Sequence, residues 1–110
     1  MIEHQAEALR PLIGKNVTLG IEDGMATIGT HDGWELHIYN SFSLLSDGIA
    51  ENPPRSTLSL VLEDCRFDHE TMVAQFSRGV TLTVDLSEDG YSGPEAMQLN
   101  SPDGTIVIWN

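Results

Sequence analysis

The stretch Val17-Thr18-Leu19-Gly20-Ile21-Glu22-Asp23-Gly24 decides the fold class of this chain. Val17, Leu19 and Ile21 alternate with Thr18, Gly20 and Glu22, so an extended segment there has one apolar face and one polar face. That is the period-two mark of a half-buried strand. Asp23-Gly24 turns the chain and the pattern restarts. Met25 to Thr30 forms a short run, His31-Asp32-Gly33 turns again, and Trp34, Leu36 and Ile38 alternate with Glu35, His37 and Tyr39. Amphipathic strands joined by tight glycine turns predict an antiparallel meander. Phe42 to Leu45 adds a short strand before Ser46-Asp47-Gly48.

Outward from this core the signals change. Residues 47–56, with Gly48, Asn52, Pro53 and Pro54, have no apolar period and predict an exposed connection. Alternation resumes at Leu58, Leu60 and Leu62, breaks for an extra loop between Asp64 and Met72, and returns at Met72, Ala74 and Phe76. Arg78-Gly79 turns into Val80, Leu82, Val84 and Leu86. After a glycine-rich loop over residues 87–94, a last hairpin joins Ala96–Leu99 to Thr105–Trp109 through Ser101-Pro102-Asp103-Gly104. Ahead of the strands, Ile2, Ala6, Leu9 and Ile13 recur at helical spacing, and Pro11 ends that helix near Arg10.

The reading is therefore mainly β (α+β): a short N-terminal helix plus seven to nine mostly antiparallel strands, in a sandwich or one strongly curved sheet. One domain spans residues 1–110. Val17 to Asp23 overlays Leu58 to Asp64, and Gly33 to Ile38 overlays Gly79 to Val84, which suggests an internal repeat of residues 17–45 and 58–99 as two related meanders. Duplication and convergence of two amphipathic meanders both fit that overlay. Trp34, Leu36, Ile38, Leu60, Leu62, Phe76, Leu82 and Val84 lie on the apolar phase and are the expected core.

Five Lys plus Arg face seventeen Asp plus Glu, a net charge of −12. Such a surface repels phosphate backbones, so direct nucleic-acid binding is not expected. It attracts basic proteins instead. Cys65 is the only cysteine, so no internal disulfide forms. No secretory signal or membrane-spanning apolar run is present, and a cytoplasmic location is expected.

No motif carries catalysis. Phosphate-loop, dinucleotide, nucleophile-elbow and zinc-protease patterns are all missing. Cys65 precedes His69 by four residues, but Glu63, Asp64 and Asp68 disfavour its thiolate, so it reads as a structural cysteine. His4, His31, His37 and His69 are scattered, and neither a metal site nor a cofactor is expected. What remains is two acidic clusters: Glu63, Asp64, Asp68 and Glu70, and then Asp85, Glu88, Asp89 and Glu95, with Tyr91 as an aromatic anchor. Each reads either as a solvated rim or as a binding edge for a basic protein.

Three segments carry a resemblance: Leu12-Ile13-Gly14-Lys15-Asn16-Val17, Asp32-Gly33-Trp34-Glu35-Leu36, and Glu95 through Val107. Together they resemble small bacterial immunity proteins, including those of contact-dependent growth inhibition systems. The resemblance implies a non-enzymatic cytoplasmic inhibitor that binds a cognate toxin domain, often a nuclease, and blocks its active site or substrate groove. It assigns no interface residue. A structural or adaptor domain forming homo-oligomers, and a small enzyme, are the alternatives.

Overall fold

In the computed structural model, which describes residues 7–50, 57–68, 70–91 and 93–110, the period-two stretches are strands. They are β1 (Asn16–Glu22), β2 (Met25–Thr30), β3 (Glu35–Ile38), β4 (Phe42–Ser46), β5 (Ile49–Ala50), β6 (Thr57–Phe67), β7 (Thr71–Phe76), β8 (Val80–Asp85), β9 (Met97–Asn100) and β10 (Ile106–Trp109). Among the described residues, nine strands have four or more residues and β5 has two. All belong to one sheet in the order β10-β9-β3-β2-β1-β6-β7-β8-β4-β5, and every neighbouring pair is antiparallel.

Each of the nine longer strands buries alternate side chains, and all nine contribute to one hydrophobic cluster. A flat sheet cannot bring its whole apolar face to one place, so this sheet curls around its core. Leu36, Ile38, Leu60, Leu62, Phe76, Leu82 and Val84 are buried as the phase predicts, and Trp34 is half-buried against them.

The bend has a local cause in β6. Its register with β7 slips between Leu62 and Asp64, leaving Glu63 as the extra residue of a bulge, a device that bends a strand and increases its twist. Before the bulge β6 pairs with β1, from Gly20↔Thr57 to Asn16↔Val61; from Leu62 onward it pairs with β7. The Ser77 hydroxyl accepts the Val61 N–H at 2.9 Å. Sequence reading expected a loop from Asp64 to Met72. Because the bulge absorbs the break in alternation, β6 instead continues to Phe67, and β7 begins at Thr71.

Two further expectations change. The helix expected near the N-terminus lies largely outside the described residues, and its described end is a 3-10 turn over Arg10–Leu12. Three residues per turn carry the apolar phase from Leu9 to Leu12 rather than to Ile13. Leu12 is accordingly buried, whereas Ile13 is 37% exposed. The connection expected over residues 47–56 begins as a hairpin turn into β5; residues 51–56 lie outside the described residues.

Asp23-Gly24 and Asp47-Gly48 each have both residues at positive φ, the type I′ geometry whose twist matches a two-residue hairpin. Arg78-Gly79, the last two residues of the three-residue β7–β8 connection, are left-handed too. Aspartate tolerates that conformation because its short side chain bonds locally, whereas arginine has no such compensation. Among the described residues no helix is long and apolar enough to cross a membrane.

Candidate functional site

The acidic residues of the second half are organised by two turns. At the β6–β7 tip, one Asp68 oxygen accepts the N–H groups of Glu70 and Thr71, each at 2.8 Å, and the other accepts the Thr71 hydroxyl at 2.9 Å. A short polar side chain answering the backbone two and three residues ahead is what lets aspartate build a tight turn. At the end of β8, Asp85 does the same for Ser87, accepting its N–H at 2.8 Å and its hydroxyl at 2.6 Å. The Ser87 hydroxyl first, and then the Ser87 amide, hold the Asp85 carboxyl below its ordinary value.

Strand pairing joins these turns. Thr71 stands opposite Asp85, and the Leu86 N–H donates to the Glu70 carbonyl at 2.7 Å. Glu70 and Asp85, from different sequence clusters, thereby line one depression of about 460 Å³ together with Ser43, Thr71, Thr83 and Ser87. The following 3-10 turn, Glu88–Gly90, holds Glu88 and Asp89 exposed. Gly90 fits where nothing larger would: a Cβ there would stand 2.5 Å from the Asp85 carbonyl oxygen. Behind the loop, buried Asn40 donates its Nδ2 to that same carbonyl at 2.7 Å, and the Ser41 N–H donates to the Gly90 carbonyl at 2.9 Å.

The remaining predicted residues are placed differently. Glu63 is exposed at the bulge. Asp64 accepts from Arg66 Nε at 2.9 Å, which lowers its pKa, and it lines a separate depression with Glu7, Arg10 and Cys65. Tyr91 is half-buried and packs against the core; Glu95 is half-buried. So Asp64, Asp68 and Asp85 spend their carboxylates on intrachain bonds, while Glu63, Glu70, Glu88 and Asp89 present theirs outward.

Cys65 is half-buried, and burial first and Asp64 second push its thiol up to about 12. The thiol faces the Met72 sulfur at 3.5 Å and stays protonated at neutral pH. Among the described residues, no three His, Cys, Asp or Glu side chains converge as a metal site. Sequence reasoning missed Asn40, Ser43 and Thr83. The outward phase of Ser43 and Thr83 was available in the alternation, but their adjacency rests on the pairing of β4 with β8, which no local pattern encodes. No family model matches the chain, and no curated protein or solved structure matches it.

Proposed function

We propose that this protein is an immunity-type inhibitor that binds a basic protein partner, a cognate toxin domain such as a nuclease, and covers its active site or substrate groove. The observation that carries this reading is the Leu86–Glu70 backbone bond, which sets Glu70 of one acidic cluster beside Asp85 of the other. A net charge of −12 adds a long-range field that draws a basic groove toward this acidic edge and steers its approach. An acidic surface entering a nuclease groove occupies the place of the phosphate backbone. On this reading the protein has no catalytic role and needs no cofactor.

The test is co-expression with the toxin domain encoded by the neighbouring reading frame. The chain rescues growth and forms a complex with that domain on gel filtration. A variant with Glu63, Glu70, Glu88 and Asp89 changed to Lys keeps its fold but loses rescue. Rescue undiminished in that folded variant overturns the acidic-edge reading. Asp68 and Asp85 are left intact because their carboxylates build the turns.

A homo-oligomeric adaptor is the second reading, and the apolar edge favours it. β10 ends the strand order, with Ile106 56% and Ile108 36% exposed. Sedimentation velocity at micromolar concentration separates the two readings, since an oligomer that Ile106→Lys dissociates supports this second one.

A further inference from the structure

On the outer surface of β2, β1 and β6, a groove of about 710 Å³ has Arg78 in its lining. Arg10, Lys15 and Arg66 pair with Glu7, Asp32 and Asp64 at 3.7, 2.7 and 2.9 Å. Arg78 has no such partner, alone among the described Lys and Arg side chains. Its backbone is in the left-handed region at φ 63° and ψ 26°, a conformation disfavoured for arginine. The nearby Asp47 is turned across Gly79, so closely that a Cβ at Gly79 would lie 2.1 Å from its Oδ1. An arginine kept unpaired and in a costly backbone conformation, in a chain with more than three carboxylates per cation, is an outlier of the kind found at ligand clamps.

The groove floor supplies an independent observation. Ser59, Thr18, Gly29 and Glu35 form one row across β6, β1, β2 and β3. Gly29 sits inside a strand at ordinary φ, and a Cβ there would meet nothing closer than the Trp34 carbonyl at 3.8 Å. Neither backbone conformation nor packing requires glycine at that position. A strand glycine with room for a side chain leaves the floor open to close approach by another molecule. Two hydroxyls, Thr18 and beyond it Ser59, lie on the β6 side of that opening and can donate. Glu35, the carboxylate of the lining, stands on the other side, one strand spacing from Gly29 and three from Ser59, roughly 5 and 14 Å away.

We propose that this groove is a carboxylate-binding site, with Arg78, on the turn beside β6, forming the charge-assisted pair at the end of the groove away from Glu35, Thr18 and Ser59 donating hydrogen bonds there, and Gly29 making room for the body of the ligand. One guanidinium matches one carboxylate bidentately. The protein's negative field resists a phosphate dianion about twice as strongly as a monoanion, so a carboxylate is the class that fits. Its source is either a free organic acid or a carboxylate carried on a peptide. The site is independent of the acidic edge.

The test is a ¹⁵N–¹H NMR titration of the full chain with sodium butyrate and, separately, with the peptide acetyl-Gly-Glu-Gly-amide, each a monoanion and each against sodium chloride of equal ionic strength. Saturable shifts at Thr18, Gly29, Ser59 and Arg78 are expected at millimolar ligand. Tighter binding of butyrate identifies a free acid as the source, and tighter binding of the peptide identifies a protein chain. Arg78→Gln removes the charge and Gly29→Val fills the floor while suiting a strand; each weakens binding at least five-fold in an otherwise unchanged spectrum. The proposal is overturned if neither ligand shifts these residues beyond the chloride control, or if either folded variant binds as tightly as the wild type.

Discussion

The outer surface of β2, β1 and β6 and the outer surface of β4, β8 and β7 are built from the same material. Thr18 and Ser59 line the first; Ser43, Thr71 and Thr83 line the second. Their opposite characters come from the turns beside them. The β7–β8 turn brings an unpaired Arg78 to the first surface, whereas the β6–β7 tip and the end of β8 bring Glu70 and Asp85 to the second. The middles of these strands supply a neutral, hydroxyl-rich ground, and turns and strand ends decide which charge a visitor meets. Surfaces of this design can change partner through a few turn residues without disturbing the core.

The largest perturbation ignores the comparison and breaks both surfaces together. Leu82 is fully buried between Ala74 and Leu44, so Leu82→Ala costs about 2–5 kcal/mol by denaturant titration. A loss below ~0.5 kcal/mol would mean that β8 does not carry the shared core. Gly90→Ala acts on one side alone. Its methyl group meets the Asp85 carbonyl, so a loss of about 1–3 kcal/mol is expected, with NMR shifts concentrated in residues 85–91 and none at Thr18 or Ser59. Arg78→Asn acts on the other side and with opposite sign. Asparagine accepts the left-handed conformation, so stability rises by about 0.5–1 kcal/mol while butyrate binding is lost.

Acid provides the gentlest probe. Asp103 is held down to about 2, chiefly by the Ser101 hydroxyl, and Asp32, Asp64 and Asp85 are lowered by hydrogen bonds from Lys15, Arg66 and Ser87. A carboxyl depressed in the folded state binds its proton more readily in the unfolded chain. Its stabilisation is complete above the ordinary value near 3.8 and is lost as pH falls toward about 2. Urea midpoints should be level from pH 7 to pH 5 and fall between pH 4 and pH 2. A midpoint unchanged at pH 2 would show that these bonds do not stabilise the fold.

Alternation made the strands legible because burial on one face leaves a period of two, and the inward phase of Leu36, Leu60 and Leu82 was readable without any partner. Neighbours were not readable. The pairings of β4 with β8 and of β3 with β9 join segments about forty and sixty residues apart, and many registers satisfy the same alternation. The acidic residues were visible as clusters, but not their division of labour. Asp68 and Glu70 look alike in the sequence, and only the turn geometry shows that one carboxylate is committed to the backbone while the other faces solvent. Arg78 went unremarked for the same reason: a turn reading assigns a conformation and says nothing about unmet charge.

β6 is hydrogen-bonded to β1 along Thr57–Val61 and to β7 along Leu62–Phe67. A single continuous strand therefore has its backbone amides invested in both halves, and neither half can open without disturbing the ladder that the other depends on. Opening should be all-or-none rather than stepwise. The amides of Leu58, Leu60 and Leu62 should exchange with deuterium only through global unfolding, at one common rate, and edge-strand amides in β5 and β10 should exchange faster through local fraying. A partner that clamps the β6–β7 tip would then slow exchange in β1 as well, although it touches nothing there.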